Sequence, residues 1–330
     1  MSELNRIWFY LKPTEFPAGD LEAQSVDTAL RSLGPDWQTV TAWHWTYQTY
    51  LRLRSVSNDY RLTRNLPERG ILVAFRGSIP FEYKPPARVL FVCICGDGGP
   101  HPFGHLQIVQ NPSQLTMVPD SFHIPHWPQF DILPRDPSRG DVFENIDFFG
   151  DEPNLQEQFR SSEWIEFLRS IGCVWRVRRS QEWHNYRETD AVLAIRSFDR
   201  NLHHRKPASK LVNAWHAHVP AILGRESAYR ALRRSSLDYI EASSFVEAKA
   251  AVEMLKRDSG LRRDMAENGR RRAPETNVET LTAQWREFFT EVALSSYERL
   301  LQRGPVWRAA FFGKRYAAIR WQGLKARVLR

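Results

Sequence analysis

A chain of 330 residues, 42% hydrophobic and 25% charged, is long for one core and has the composition of a folded protein, so a disordered chain is excluded and two domains are expected. No apolar run is long enough to cross a bilayer, and the polar start MSELNR with few apolar residues after it makes no secretory signal, so a cytoplasmic location is expected. The net charge of +8 is concentrated in a tail: no acidic residue follows Glu298, Pro305 to Arg330 holds seven basic side chains, and the near-neutral remainder argues against a nucleic-acid-binding domain face.

In chain order, Arg6 to Leu11 reads as a first strand, followed by a loop with two prolines and Gly19 and then a helix over Leu21–Ser32. Trp37 to Leu53 gathers Trp43, Trp45, Tyr47 and Tyr50 around His44, either as aromatic packing under an element or as a surface on which sugars stack. Ile71–Phe75, Val89–Cys95 and Leu106–Gln110 are apolar runs of the kind found in buried parallel strands. Arg76, Asp97, His101 and His105 follow or flank their C-terminal ends, where ligands of open α/β sheets bind, although the glycines of GDGGPHPFGH equally suit a simple loop. Cys93, Cys95 and Cys173 form no CxxC pair and read as reduced, buried thiols rather than a metal site.

His123 to Pro137, with four prolines, marks the domain boundary. Beyond it the elements alternate: a strand at Phe143–Gly150, a helix over Asn154–Ser170, and strands at Val174–Arg178 and Ala191–Ile195. A helix then opens near Pro207, bearing His203, His204, Arg205, Lys206, Ser209 and Lys210 about its N-terminus, where unpaired N–H groups and cations favour an anion such as phosphate. Short strands at Ala221–Gly224 and Tyr239–Glu241 precede helices over Phe245–Arg257, Leu261–Arg272 and Val278–Leu301.

The helix before Pro220 resembles the nucleotide-sugar domain of GT-B glycosyltransferases, whose retaining branch commonly reads L-E-A-M-A-x-G-x-P-V-V where this chain runs from Val212 to Ile222. Asn213 stands where that branch has a glutamate for the donor ribose, His218 replaces the glycine, and Arg205 falls on the earlier glutamate. Ile124, Pro125 and His126 also resemble the GT-B crossover I-P-N-G-V-D, from which Trp127 and Pro128 depart. The resemblance implies an α/β fold of two Rossmann-like domains facing a cleft, with an acceptor-side domain over 1–125, a nucleotide-sugar domain over 126–304 and a basic amphipathic tail over 305–330. It implies transfer of a sugar, hexosyl in kind, from a nucleotide sugar to a glycan or lipid-linked acceptor, as in bacterial glycan or glycolipid synthesis.

On that resemblance the donor residues are Lys206, Ser209, Lys210 and Asn213 on the basic helix, Arg196 and Ser197 after the preceding strand, Phe149, Gly150 and Val177 at strand ends, and His126 at the crossover. Glu226 is placed to accept sugar hydroxyls or to stand as the N-terminal carboxylate of the helix that follows it, and an inverting course would draw its base from Asp97 or His101. Gly19, Arg76, Trp43 and His44 fall on the acceptor side, and no metal ion or other cofactor is expected, since no DxD-like motif stands at a strand end. An epimerase or isomerase of the same fold and a non-catalytic scaffold are the alternatives. The tail suits either docking on the first domain or contact with an anionic membrane.

Overall fold

The computed structural model describes residues 7–17, 25–34 and 40–328, without the side chains of 320 and 322–328. Its first sheet is built from β1 (Ile7–Tyr10), β2 (Tyr60–Thr63), β3 (Arg69–Phe75), β4 (Arg88–Ile94), β5 (Leu106–Val109) and β6 (Ser121–His123), in the order β2-β1-β3-β4-β5-β6 and parallel throughout. The central strands β3 and β4 are buried along nearly their whole length, as their continuous apolar runs require. Edge strands β2 and β6, with the mixed sequences YRLT and SFH, lie beyond those runs and carry no apolar signal of their own. α1 (Val26–Ser32) is capped by Ser25, whose hydroxyl accepts from the Thr28 amide at 3.2 Å, and a π-helical turn over Trp43–Tyr47 leads into α2 (Gln48–Arg54). The helix expected from Leu21 is seen from Val26 onwards, and Gly19 lies outside the described residues.

The second sheet comprises β7 (Asn145–Phe149), β8 (Val174–Arg178), β9 (Ala191–Ala194), β10 (Ala221–Leu223) and β11 (Ile240–Glu241), again parallel, in the order β11-β10-β9-β7-β8. α3 (Ser162–Ser170) is shorter than the helix expected from Asn154, because two 3₁₀ turns precede it and Ser161 starts it by accepting from the Trp164 amide at 3.3 Å. α4 (Ser209–Ala217), α5 (Ser227–Leu232), α6 (Phe245–Arg257) and α7 (Ser259–Arg272) complete this unit. His218 closes α4 in the left-handed region (φ 59°), where the GT-B pattern has glycine.

The proline-rich crossover is anchored within the second unit. Gln129 N donates to Asn213 Oδ1 at 3.0 Å, Leu133 exchanges backbone bonds with His184 and Tyr186, and Arg135 N reaches the Ala217 carbonyl at 3.0 Å. Below it Asp190, almost wholly buried, takes Arg135 and Arg139 at 2.8 and 2.7 Å and the amides of Glu144 and Asn145 at 2.9 and 3.0 Å. Burial opposes its charge, but these donors outweigh burial and hold its pKa below the usual aspartate value.

The chain then returns to the first unit. The units are Met1–Pro125 with Leu281–Arg330, and His126–Thr280, so the boundary falls inside α8 (Val278–Glu287) and the second unit ends well before the residue 304 expected from sequence. The reason is where the apolar side chains of this segment go. Phe289, in a π-helical stretch over Phe288–Ala293, packs on Phe9 and Tyr60 with centroids 6.1 and 5.6 Å away. In α9 (Leu294–Leu301) the Tyr297 hydroxyl accepts from Gly70 N at 3.0 Å, which fastens the helix to β3.

α10 (Pro305–Val328) docks on the same unit. Phe312 meets Phe103 and His105 with centroids 5.5 and 5.1 Å away, and buried Arg315 donates to the carbonyls of Gly104 and His105 while pairing with Asp120. Of the two readings of the tail, docking is therefore the one these contacts carry. Val306 and Trp321 remain 83% and 61% exposed. Among the described residues no helix is long and apolar enough to cross a membrane.

Candidate functional site

In the second sheet the connection from β7 leads to β8 on one side, while β9 continues to β10 on the other, so the strand order reverses between β7 and β9. A crevice opens at the carboxyl ends of strands where such a reversal occurs. Gly150 follows β7 there; a Cβ on it would come within 2.8 Å of the Phe148 ring. From the end of β9, Ile195 O accepts the Gln156 amide at 2.8 Å, and Arg196 reaches Asn154 Oδ1 at 2.6 Å and Glu226 Oε1 at 3.5 Å. Glu226, after β10, is 3% exposed and immediately precedes α5.

The loop from Ser197 to Ala208 brings the cations to this edge. Ser197 donates to Asp199 at 2.7 Å and lies 3.1 Å from His203 Nε2, and the Lys206 amide closes a turn on the His203 carbonyl at 2.8 Å. Pro207 falls two residues before the observed start of α4, and the residue at its N-cap is Ala208, whose methyl group cannot accept a hydrogen bond. The first turn at Ser209 and Lys210 therefore has no side-chain cap, and its backbone N–H groups point out of the helix end beside the side chain of Lys210, whose Nζ lies 5.2 Å from the centroid of the Trp183 ring. Arg196, Ser197, Lys206, Ser209, Lys210, Glu226 and Gly150 thus belong to one edge of one sheet.

Four expected donor residues are placed otherwise. Asn213 is buried, and its oxygen holds the crossover at Gln129, so it serves the fold where the GT-B glutamate would serve a ribose. Phe149 is buried and stacks on Tyr186 at 3.9 Å, a core contact in place of the expected approach to a base. Val177 is 38% exposed on the outer strand β8, away from the strand-order reversal. His126 turns its ring to the Trp127 carbonyl.

In the first unit the order reverses between β1 and β3. The 3₁₀ turn after β1 delivers Glu15, which sequence reasoning missed: its carboxylate accepts from Ser78 Oγ at 2.7 Å and pairs with Lys12 at 3.0 Å, and its carbonyl takes the Trp43 indole N–H at 2.6 Å. Its only sequence signal was an acid in the loop after the first strand. Trp43 and half-buried His44 sit in the π-helical turn, and Arg76 lies over the Phe81 ring at 5.4 Å. Asp97 is exposed after β4.

His101 is no accessible base. It is fully buried, Nδ1 accepts the Phe103 amide at 3.1 Å and Nε2 bonds the Pro80 carbonyl at 2.9 Å. Burial lowers its pKa to about 4, against the opposing pull of the Pro80 carbonyl, so the ring is neutral and committed to the loop. His105 is likewise interior, pushed down to about 3 by burial and then by Arg315 and Arg308. Among the described residues no three His, Cys, Asp or Glu side chains gather into a metal-binding group, and the three buried cysteines form no disulfide.

No protein-family model and no curated protein matches the chain. Solved structures do. A structure of Anabaena Alr3699/HepE in complex with UDP matches with a TM-score of 0.50 at 12% identity, covering 87% of this chain and 100% of that one. Another of the same protein, with UDP and glucose, gives 0.43 at 13% identity over 58% of this chain and 64% of that one, so this chain spans just under two thirds of its length in that match. Sucrose-phosphate synthase from Thermosynechococcus elongatus gives 0.49 at 10% identity over 68% and 74%. Two parallel α/β units, the second with a basic helix N-terminus at its strand-order reversal, make this a chain of the GT-B glycosyltransferase fold.

Proposed function

We propose that the protein transfers a hexosyl group from a nucleoside-diphosphate sugar to an acceptor hydroxyl, with the donor diphosphate at the N-terminus of α4. The observation that carries this reading is the convergence of Arg196, Lys206, Lys210 and the first-turn amides of α4 on one sheet edge. As the glycosidic bond breaks, negative charge gathers on the leaving diphosphate, and fixed cations and amide dipoles lower the energy of that state more than that of the bound donor. Glu226 supplies a carboxylate for donor hydroxyls, and Glu15 and Asp97 supply carboxylates on the acceptor-side unit. The choice of a uridine nucleotide as first probe follows the UDP in the matched structure.

Calorimetric titration with nucleoside diphosphates tests the reading. Lys210→Ala removes one charge-assisted contact and should weaken binding by roughly 1.5–3 kcal/mol, about tenfold to a hundredfold. Unchanged affinity in a folded variant would sink the assignment. Release of a nucleoside diphosphate without transfer when donor is supplied alone, with an isomerised sugar as product, would instead favour an epimerase.

With cations already lining the edge, the reaction runs without a metal ion, and turnover should survive EDTA; abolition reversed by added magnesium would refute this. The acceptor is a glycan or a lipid-linked glycan of bacterial type. The outward side of docked α10, with Lys314 and the exposed Val306 and Trp321, meets an anionic membrane surface where such an acceptor would lie. Flotation with anionic vesicles should show salt-sensitive binding, weakened about fivefold by Lys314→Ala at roughly 1 kcal/mol per basic residue. Absence of binding at low salt would remove the membrane from the proposal.

A further inference from the structure

We propose that His203 is a proton-coupled ligand of the donor diphosphate, neutral in the free protein and protonated at Nδ1 when the diphosphate arrives. This rests on the donor-site reading above. The loop after β9 holds the residue in the left-handed region (φ 48°), a conformation costly for histidine and kept here by local bonds: its amide donates to Asn201 Oδ1 at 3.0 Å and its carbonyl accepts from Lys206 N at 2.8 Å.

The side chain is part of a directed relay. Ser197 has one hydroxyl proton and gives it to Asp199 Oδ1 at 2.7 Å, while Asp199 also takes the Asn201 amide at 2.9 Å. The Ser197 oxygen is then an acceptor for His203 Nε2, 3.1 Å away, so Nε2 carries the hydrogen. In the neutral ring the lone pair lies on Nδ1, the atom that takes the next proton.

The surrounding charges decide when it does so. Burial disfavours the imidazolium first, then Arg196; Asp199 favours it, while Lys206 and His204 oppose it. Glu226 partly offsets Arg196, from 3.5 Å. The net effect lowers the pKa of His203, so the free protein keeps the ring neutral near pH 7. A diphosphate bearing two negative charges beside the same cations reverses the balance, and the imidazolium becomes an added positive ligand drawn from solvent protons. A lysine at this position would repel Arg196 and Lys206 even with the site empty; histidine is charged only when the anion is present. The bound state has the higher pKa, so donor affinity rises as pH falls and is lost as pH rises through the bound-state value.

Calorimetry with UDP-glucose, whose doubly esterified diphosphate does not titrate between about pH 6 and 8.5, separates the possibilities when run in two buffers of different ionisation enthalpy. Uptake of up to one proton per ligand is expected near neutrality, with affinity about threefold to tenfold tighter at pH 6 than at pH 8.5. His203→Asn, which tolerates the left-handed backbone, should abolish both the uptake and the pH dependence while keeping the weaker affinity of the wild type at high pH. Asp199→Asn removes the charge that favours the imidazolium and should move the uptake midpoint to lower pH. Binding without proton uptake in the wild type, uptake that persists in a folded His203→Asn variant, or an unmoved midpoint in Asp199→Asn overturns the histidine proposal alone. No UDP-glucose binding at either pH overturns the donor-site reading and this proposal with it.

Discussion

Asp190→Ala should destabilise the second unit by about 3–5 kcal/mol, because it leaves Arg135 and Arg139 facing each other with no carboxylate between them and deprives the Glu144 and Asn145 amides of their acceptor. The site is at the start of the sheet, beneath the crossover, so this loss is one of folding rather than of ligand contact. Because the folded-state pKa of Asp190 is depressed, its contribution is full above the ordinary aspartate range and is lost as pH falls through and below it. Denaturation curves of wild type and variant should therefore lie farthest apart at neutral pH and converge in acid. Curves equally spaced at all pH values would show that the carboxylate is not what holds the crossover. Asp190→Asn, which keeps some acceptor capacity without the charge, should fall between the two.

The same crossover shows how far the sequence could be read. Four prolines in fifteen residues announced a boundary, and the continuous runs at Val89–Cys95 and Ala191–Ile195 announced buried strands, because both signals are local. β2 and β6 escaped notice because an edge strand buries too little to need an apolar run. Glu15 escaped because its partner Ser78 lies 63 residues away, and only the parallel sheet brings the two loops together. The cationic edge at Lys206 and Lys210 was legible, since basic residues ahead of a helix N-terminus have a physical meaning before any fold is known.

The errors have the opposite origin. Aligning Asn213 and Phe149 with a family pattern gave their place along the chain but not what their side chains would find there: Gln129 N for one, the Tyr186 ring for the other. His101 looked available because glycines surround it in sequence, yet the loop folds inward and both ring nitrogens are used. The return of 281–330 to the first unit depends on pairings such as Gly70 with Tyr297, separated by 227 positions, which no window along the chain contains.

Arg272→Ala should cost about 3–5 kcal/mol and, on the proposed function, should also weaken nucleotide binding, although Arg272 lies on α7, behind α4. Arg272 is 6% exposed, and its guanidinium donates to Asp238 at 2.5 Å, to Leu232 O at 2.9 Å and to Glu275 at 2.8 Å and lies 4.3 Å from the Trp215 ring centroid. Trp215 belongs to α4 and bonds the Asp238 carbonyl through its indole N–H at 3.2 Å, so ring, guanidinium and carboxylate fix the helix that presents Ser209 and Lys210. Asp238 is 3% exposed and retains the Arg234 and Ser235 amides and Asn268 after the substitution, but loses the cation that balances its charge. α4 and α7 also meet closely at Gly269, where an added Cβ would stand 3.1 Å from Trp215 Cα, so the helix has little room to settle into a new position. Arg272→Lys keeps the charge without the planar fork and should recover only part of the loss. The measurement is paired: a melting curve, and nucleotide affinity well below the transition. A variant that melts lower but binds as tightly as wild type would show that the lock stabilises the unit without setting α4; loss of both in Arg272→Ala, with partial return of both in Arg272→Lys, is the result expected if α4 presents the proposed donor site and is held from behind.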